Sequence, residues 1–179
     1  MERFGDIPGI IALVILAWQD FRTRRIAWWL LPVLAASIFL AGFASNSAKT
    51  IGQNFSINMI FLLIQFLLVW IWFSAKNKRL SRIIDTQIGL GDVLFMICVA
   101  LAFSPGNFLI FYIGGMILTL ISTVLIKIFR QNSVMEIPLA GALSVPLILL
   151  CGWRLFNPGK DFYNDAWLMQ LVETNLNGI

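Results

Sequence analysis

Residues 57–73 read INMIFLLIQFLLVWIWF, an apolar run without a charged side chain, and this stretch decides the fold. A hydrocarbon layer of about 30 Å takes about 20 apolar residues in helical form. Within that layer every backbone N–H and C=O must find its partner inside the segment, so the run is expected to be a membrane helix. Outward from it the pattern repeats, with apolar runs at Ile7 to Trp18, Ile26 to Phe43, Val93 to Phe103, Phe108 to Ile128 and Ile137 to Trp153. The expected fold class is all-α, a polytopic membrane helix bundle of about six transmembrane helices. Residues 1–153 make up the bundle and 154–179 a short extracytoplasmic tail, whose mixture of charged and apolar residues suits a surface helix.

Composition agrees with that reading. Hydrophobic residues make up 59% of the 179 and charged residues 12%, with a mean hydropathy of +0.86. A soluble domain carries roughly 25% charged residues. The net charge of +4 comes from 13 basic and nine acidic residues, and the basic ones stand beside the apolar runs as topology signals. No nucleic acid is expected as a partner; the lipid bilayer is. Threading the loops alternately across the bilayer puts Arg22, Arg24, Arg25, Lys76, Lys78, Arg79, Arg82, Lys127 and Arg130 on one side. Arg3, Lys49, Arg154 and Lys160 remain on the other, so the first side is cytoplasmic and both termini are extracytoplasmic. The membrane implied is the inner, cytoplasmic one. The run from Ile7 to Ala17 leads into Trp18, Gln19 and Asp20 without a small-x-small cleavage site, so it reads as a retained helix and not as a signal peptide.

The sequence contains no His, which removes the HExxH metal site and the Ser-His-Asp and Cys-His nucleophile systems. Cys98 and Cys151 both lie in apolar runs and form neither a disulfide framework nor a CxxC pair. No metal and no cofactor is expected. Two acids remain at telling positions, Asp20 at the end of the first run and Asp92 at the start of the fourth. An ionisable group among membrane helices is expensive, which makes each a functional candidate. The derived topology puts both at the cytoplasmic face, where they can meet. Paired carboxylates in a low dielectric resist double ionisation and hold one proton between them, the requirement of aspartyl-protease chemistry.

Asp92 closes Gly89-Leu90-Gly91-Asp92, where two glycines permit close backbone approach and a local break in the helix. Gly89, Gly91 and Asp92 resemble the G-x-G-D motif of the prepilin peptidase family. Asp20-Phe21-Arg22-Thr23-Arg24-Arg25-Ile26 is similar to the first aspartate region of that family, and Ile137-Pro138-Leu139-Ala140 to the Ile-Pro-Phe-Ala stretch opening its last core helix. The resemblance implies a six-helix core with catalytic Asp20 and Asp92, while Gly89, Gly91, Arg22 and Pro138 shape the site or bind substrate. It also implies the activity: an intramembrane aspartyl endopeptidase removing the basic leader from type IV prepilin-like, single-span precursors. Ala27, Trp28, Leu94 and Gly141 depart from the family pattern while both aspartates are kept. The short link from Gln19 to Arg25 leaves no room for the Cys-bearing insertion associated with methyltransferase activity in longer members.

Plainer readings exist for each residue. Asp20 can be an interfacial acid paired with Arg22 or Arg24, and Asp92 an acid at a helix N-terminus, favoured by the macrodipole. Asp85 and Glu136 read as solvated ion partners, or as acids that meet the basic leader. From other classes come a small ion- or proton-coupled transporter subunit and an inactive prepilin-binding homologue. A transporter site lies near the midplane at broken helices, whereas these acids fall at helix ends. Single Cys reporters in Lys76 to Arg82 and in Gln131 to Glu136 are expected to label from the cytoplasm, and reporters near Lys49 and Lys160 from outside; the opposite labelling would sink the six-span topology.

Overall fold

The computed structural model describes residues 6–23, 26–77, 89–129, 139–157, 162–168, 170 and 174. Among these residues six helices follow one another: α1 (Asp6–Thr23), α2 (Leu30–Phe43), α3 (Ala48–Asn77), α4 (Leu90–Ala100), α5 (Pro105–Phe129) and α6 (Leu139–Phe156). The chain is a membrane helix bundle, and among the described residues there is no strand. Among the described residues three helices are long and apolar enough to cross a bilayer by themselves: α3 over Ala48–Lys76, α5 over Pro105–Leu125 and α6 over Leu139–Phe156. α2 and α4 are shorter apolar helices, and α1 carries Asp6, Asp20 and Arg22 at its ends.

Burial follows the logic of a lipid-facing bundle. Leu13, Leu16, Leu34, Phe95, Val99, Leu143 and Leu147 are buried between helices, while Leu63, Leu67, Leu68, Leu120 and Ile128 point outward. Trp18, Trp28, Trp29, Trp70, Trp72 and Trp153 are all exposed. Two buried hydroxyls return to carbonyls of their own helices: Ser37 donates to Val33 O at 2.8 Å and Ser144 to Ala140 O at 2.6 Å.

Two helix boundaries differ from the sequence reading. The Ser- and Asn-rich stretch 42–54 reads as a connection, yet α3 begins at Ala48. Ser47 supplies the reason, because its Oγ accepts from Thr50 N at 3.2 Å in an N-cap that starts the helix early. Asn58, polar and buried, is then used inside α3: its Nδ2 donates to Ala100 O and Phe103 O, both at 2.9 Å, satisfying carbonyls where α4 ends. α2 begins at Leu30, four residues after the apolar run opens at Ile26. There the Ala27 N–H donates to Gln19 Oε1 at 3.0 Å, outside any helix.

α1 and α6 lie antiparallel along their lengths. At one end the Arg154 guanidinium stands 3.8 Å from the Asp6 carboxylate, and at the other Gly141 N donates to Asp20. The Asp6 end is also where the segment after α6 docks. Tyr163 is buried, with its hydroxyl donating to Leu101 O at 3.0 Å, and Ser104 N donates to Phe162 O at 2.8 Å. Asp165 caps α5 from outside the helix: its carboxylate accepts from Gly106 N at 3.0 Å, Asn107 N at 3.2 Å and Ser104 Oγ at 2.5 Å. Pro105 at the first helical position needs no partner, so the exposed amides of this helix start are accounted for. Asp165→Ala is expected to lower stability by about 1 to 2 kcal/mol, the usual cost of a lost N-cap, read as a fall in Tm of the full chain in detergent.

Candidate active site

Three helix ends meet at the other end of the bundle. Asp20 lies in the last full turn of α1, Asp92 in the first turn of α4, and Ala140 and Gly141 in the first turn of α6. The α6 amides are among the four that a helix start leaves without an intrahelical partner. Asp20 Oδ2 accepts from Gly141 N at 2.6 Å, and Asp92 Oδ1 accepts from Ala140 N at 3.0 Å. Consecutive amides of one helix thus hold both carboxylates side by side, close enough to interact electrostatically.

Position explains why each acid needs this clamp. Asp20, only 5% exposed, sits at the C-terminal end of α1, where the helix dipole disfavours an anion. The N-terminus of α6 supplies the opposite field and a donor. Asp92 lies near two helix starts, its own and that of α6, and its N–H donates to Gly89 O at 3.0 Å to close the first turn of α4.

The glycines act by leaving space. A Cβ on Gly141 would stand 2.9 Å from Asp20 Oδ2 and 3.1 Å from Asp20 Cβ. On Gly89 it would stand 3.2 Å from Asp92 Oδ2, and on Gly91 3.1 Å from Ile26 Cδ1. The local helix break expected at Gly89 and Gly91 takes the form of a helix start: Gly89 is the extended N-cap residue, with φ −66° and ψ 138°, and Gly91 already lies in α4. No unusual backbone conformation is involved.

Asp20, Asp92, Gly89 and Gly91 therefore come together. Arg22 does not join them: it is exposed, with its guanidinium over the Trp18 ring at 5.9 Å from the centroid, and among the described residues no ion pair links it to Asp20. Pro138, Asp85 and Glu136 lie outside the described residues. Sequence reasoning missed the two α6 amides and Gln19, whose side chain holds the turn after α1. Gly141 was a visible signal, but nothing in the sequence pairs it with an acid 121 residues away. Among the described residues no three His, Cys, Asp or Glu side chains group as a metal would require.

Fold and site together define a membrane helix bundle with paired aspartates at one end. Residues 7–129 match the type IV leader peptidase family, and the chain belongs to that family. It is a membrane peptidase of the leader-peptidase kind. The matched span contains both aspartates but stops before α6, whose amides hold them. No curated protein and no solved structure matches the chain.

Gly141→Ala retains the amide and suits a helix, yet its methyl must displace the Asp20 carboxylate. Peptidase turnover in membranes is expected to fall at least about tenfold, in line with the cost of small displacements at a reacting centre, while Tm in detergent stays close to that of the parent.

Proposed function

We propose that the chain is an intramembrane aspartyl endopeptidase, with Asp20 and Asp92 as its catalytic pair, cutting the basic leader from type IV prepilin-like precursors. The observation that carries this reading is the seating of both carboxylates on consecutive amides of α6. Two acids so placed cannot both carry a full charge cheaply, so they hold one proton between them. The ionised member takes a proton from water as the oxygen attacks the scissile carbonyl. The protonated member donates to the carbonyl oxygen, and a proton then passes to the leaving amine. No metal or cofactor takes part in these steps.

The substrate is a single-span membrane protein whose basic leader stays in the cytoplasm while its apolar helix enters the bilayer. Cleavage falls at the cytoplasmic face of the inner membrane, the side to which the basic loops assign both aspartates. Both termini are then extracytoplasmic. α1 ends at Thr23 and α2 starts at Leu30, a link without space for an inserted domain, so leader removal is proposed without methyl transfer to the new amino terminus.

Asp20→Asn and Asp92→Asn keep shape and remove the shared proton. Each is expected to abolish cleavage of a partner prepilin in membranes, followed by gel shift with expression matched by immunoblot. The double variant is expected to be no worse than either single, because residues acting as a unit are strongly non-additive. Asp85→Asn and Glu136→Gln retain substantial turnover. Wild-type cleavage by either single aspartate variant would refute the mechanism.

A further inference from the structure

The α6 amides fix one oxygen of each acid, but the two torsions of an Asp side chain leave its backbone free to shift behind that oxygen. Two carboxylates that share a proton also need their backbones set. The segment linking α1 to α2 lies where it can do this. Gln19, the residue before Asp20 in α1, sends its side chain eight residues forward, where Oε1 accepts from Ala27 N at 3.0 Å. A backbone N–H can only donate, so the amide must turn its oxygen to it. Ala27 is held through its carbonyl as well, which accepts from Leu30 N at 3.0 Å as α2 opens. Gln19 O in turn accepts from Thr23 Oγ1 at 2.8 Å, which closes the end of α1.

Ile26 is carried by the fastened turn. It is half-buried against the core, and its side chain covers Gly91, the residue before Asp92. A Cβ on Gly91 would stand 3.1 Å from Ile26 Cδ1 and 3.6 Å from both Ile26 Cβ and Ile26 Cγ1. A β-branched side chain is stiff at χ1, so Ile26 passes on the position of its own backbone and does not absorb a shift. A continuous path therefore runs from Asp20 through Gln19, Ala27 and Ile26 to Gly91 and Asp92, each step a covalent neighbour, a hydrogen bond or a packed contact.

We propose that Gln19 is a positioning residue for the peptidase reaction: by holding the Ala27 N–H it seats Ile26 against Gly91 and so sets Asp92 at its working distance from Asp20. The α6 amides direct the carboxylates, and this brace fixes the backbones that carry them. The assignment rests on the peptidase reading above and adds to it a residue that acts through others.

The test uses the full chain in detergent with a partner prepilin as substrate. Gln19→Leu keeps the bulk and strands the Ala27 N–H. It is expected to lower kcat about tenfold with KM within about twofold of the parent, as displaced reacting groups do. It is also expected to change the spacing between the two limbs of the kcat–pH profile, because those limbs report the acids as a coupled pair. Loss of folded protein would scale that profile without moving it. Ala27→Pro removes the donor, and proline favours extended backbone at the residue before it, here Ile26, which lies outside any helix. In that background Gln19→Leu is expected to cost less than about twofold in kcat, since no stranded donor remains. Ile26→Ala removes the wedge and keeps the Gln19–Ala27 bond. It is expected to lower kcat about tenfold with KM little changed, and it decides the matter where Ala27→Pro does not fold. Parent kcat from Gln19→Leu or from Ile26→Ala, a fall carried by KM, an unmoved pH profile, or an equal fall in the Ala27→Pro background each overturns the brace and leaves the peptidase reading intact. Cleavage by Asp20→Asn at the wild-type rate would instead remove the peptidase reading.

Discussion

The bundle is organised by the cost of keeping two carboxylates among apolar helices. Both acids are seated on a source of free donors that a membrane helix always offers, the amides of its first turn. α6 must therefore present its start to the end of α1 and to the start of α4, and this fixes three helix ends at one depth. Gly141 makes the approach sterically open, since any side chain there would compete with Asp20 for the same volume. The Asp6–Arg154 pair then holds the far ends of α1 and α6 together, so the pair of helices is tied at both ends.

The end remote from the acids is stitched by side chains that reach backbone groups of other helices. Asn58 takes carbonyls at the close of α4, Asp165 takes amides at the opening of α5, and Arg154 donates to Ala41 O at 3.3 Å. Each satisfies a helix terminus that lipid could not. This gives the molecule one end whose helix termini are closed by its own side chains and one where helix starts hold acids. Next to the acids the packing between α3 and α5 loosens into the cavity that Gln65 and Tyr112 line.

By itself the sequence determined the membrane class, the six helices in order among the described residues, and the two acids that the structure brings to neighbouring amides of α6. Hydrocarbon allows no unpaired backbone, so uninterrupted apolar runs such as 57–73 have one regular outcome. Asp20 and Asp92 stood out because an acid among membrane helices is costly and these two fall at the same side of the threaded bundle. Boundaries were less legible where a polar stretch had two uses: residues 48–54 read as a loop by composition, but the Ser47 cap makes them helix. Arg22 looked like a partner for Asp20 by proximity in sequence, yet two residues along a helix turn it away, to the Trp18 ring. Only the tertiary structure decided that α6 amides hold the acids, that Asp165 caps a helix begun sixty residues earlier, and that a cavity adjoins Asp92. The physical reason is common to all three: backbone donors and empty volume carry no side-chain signature, and they acquire a meaning only when packing brings a distant residue to them.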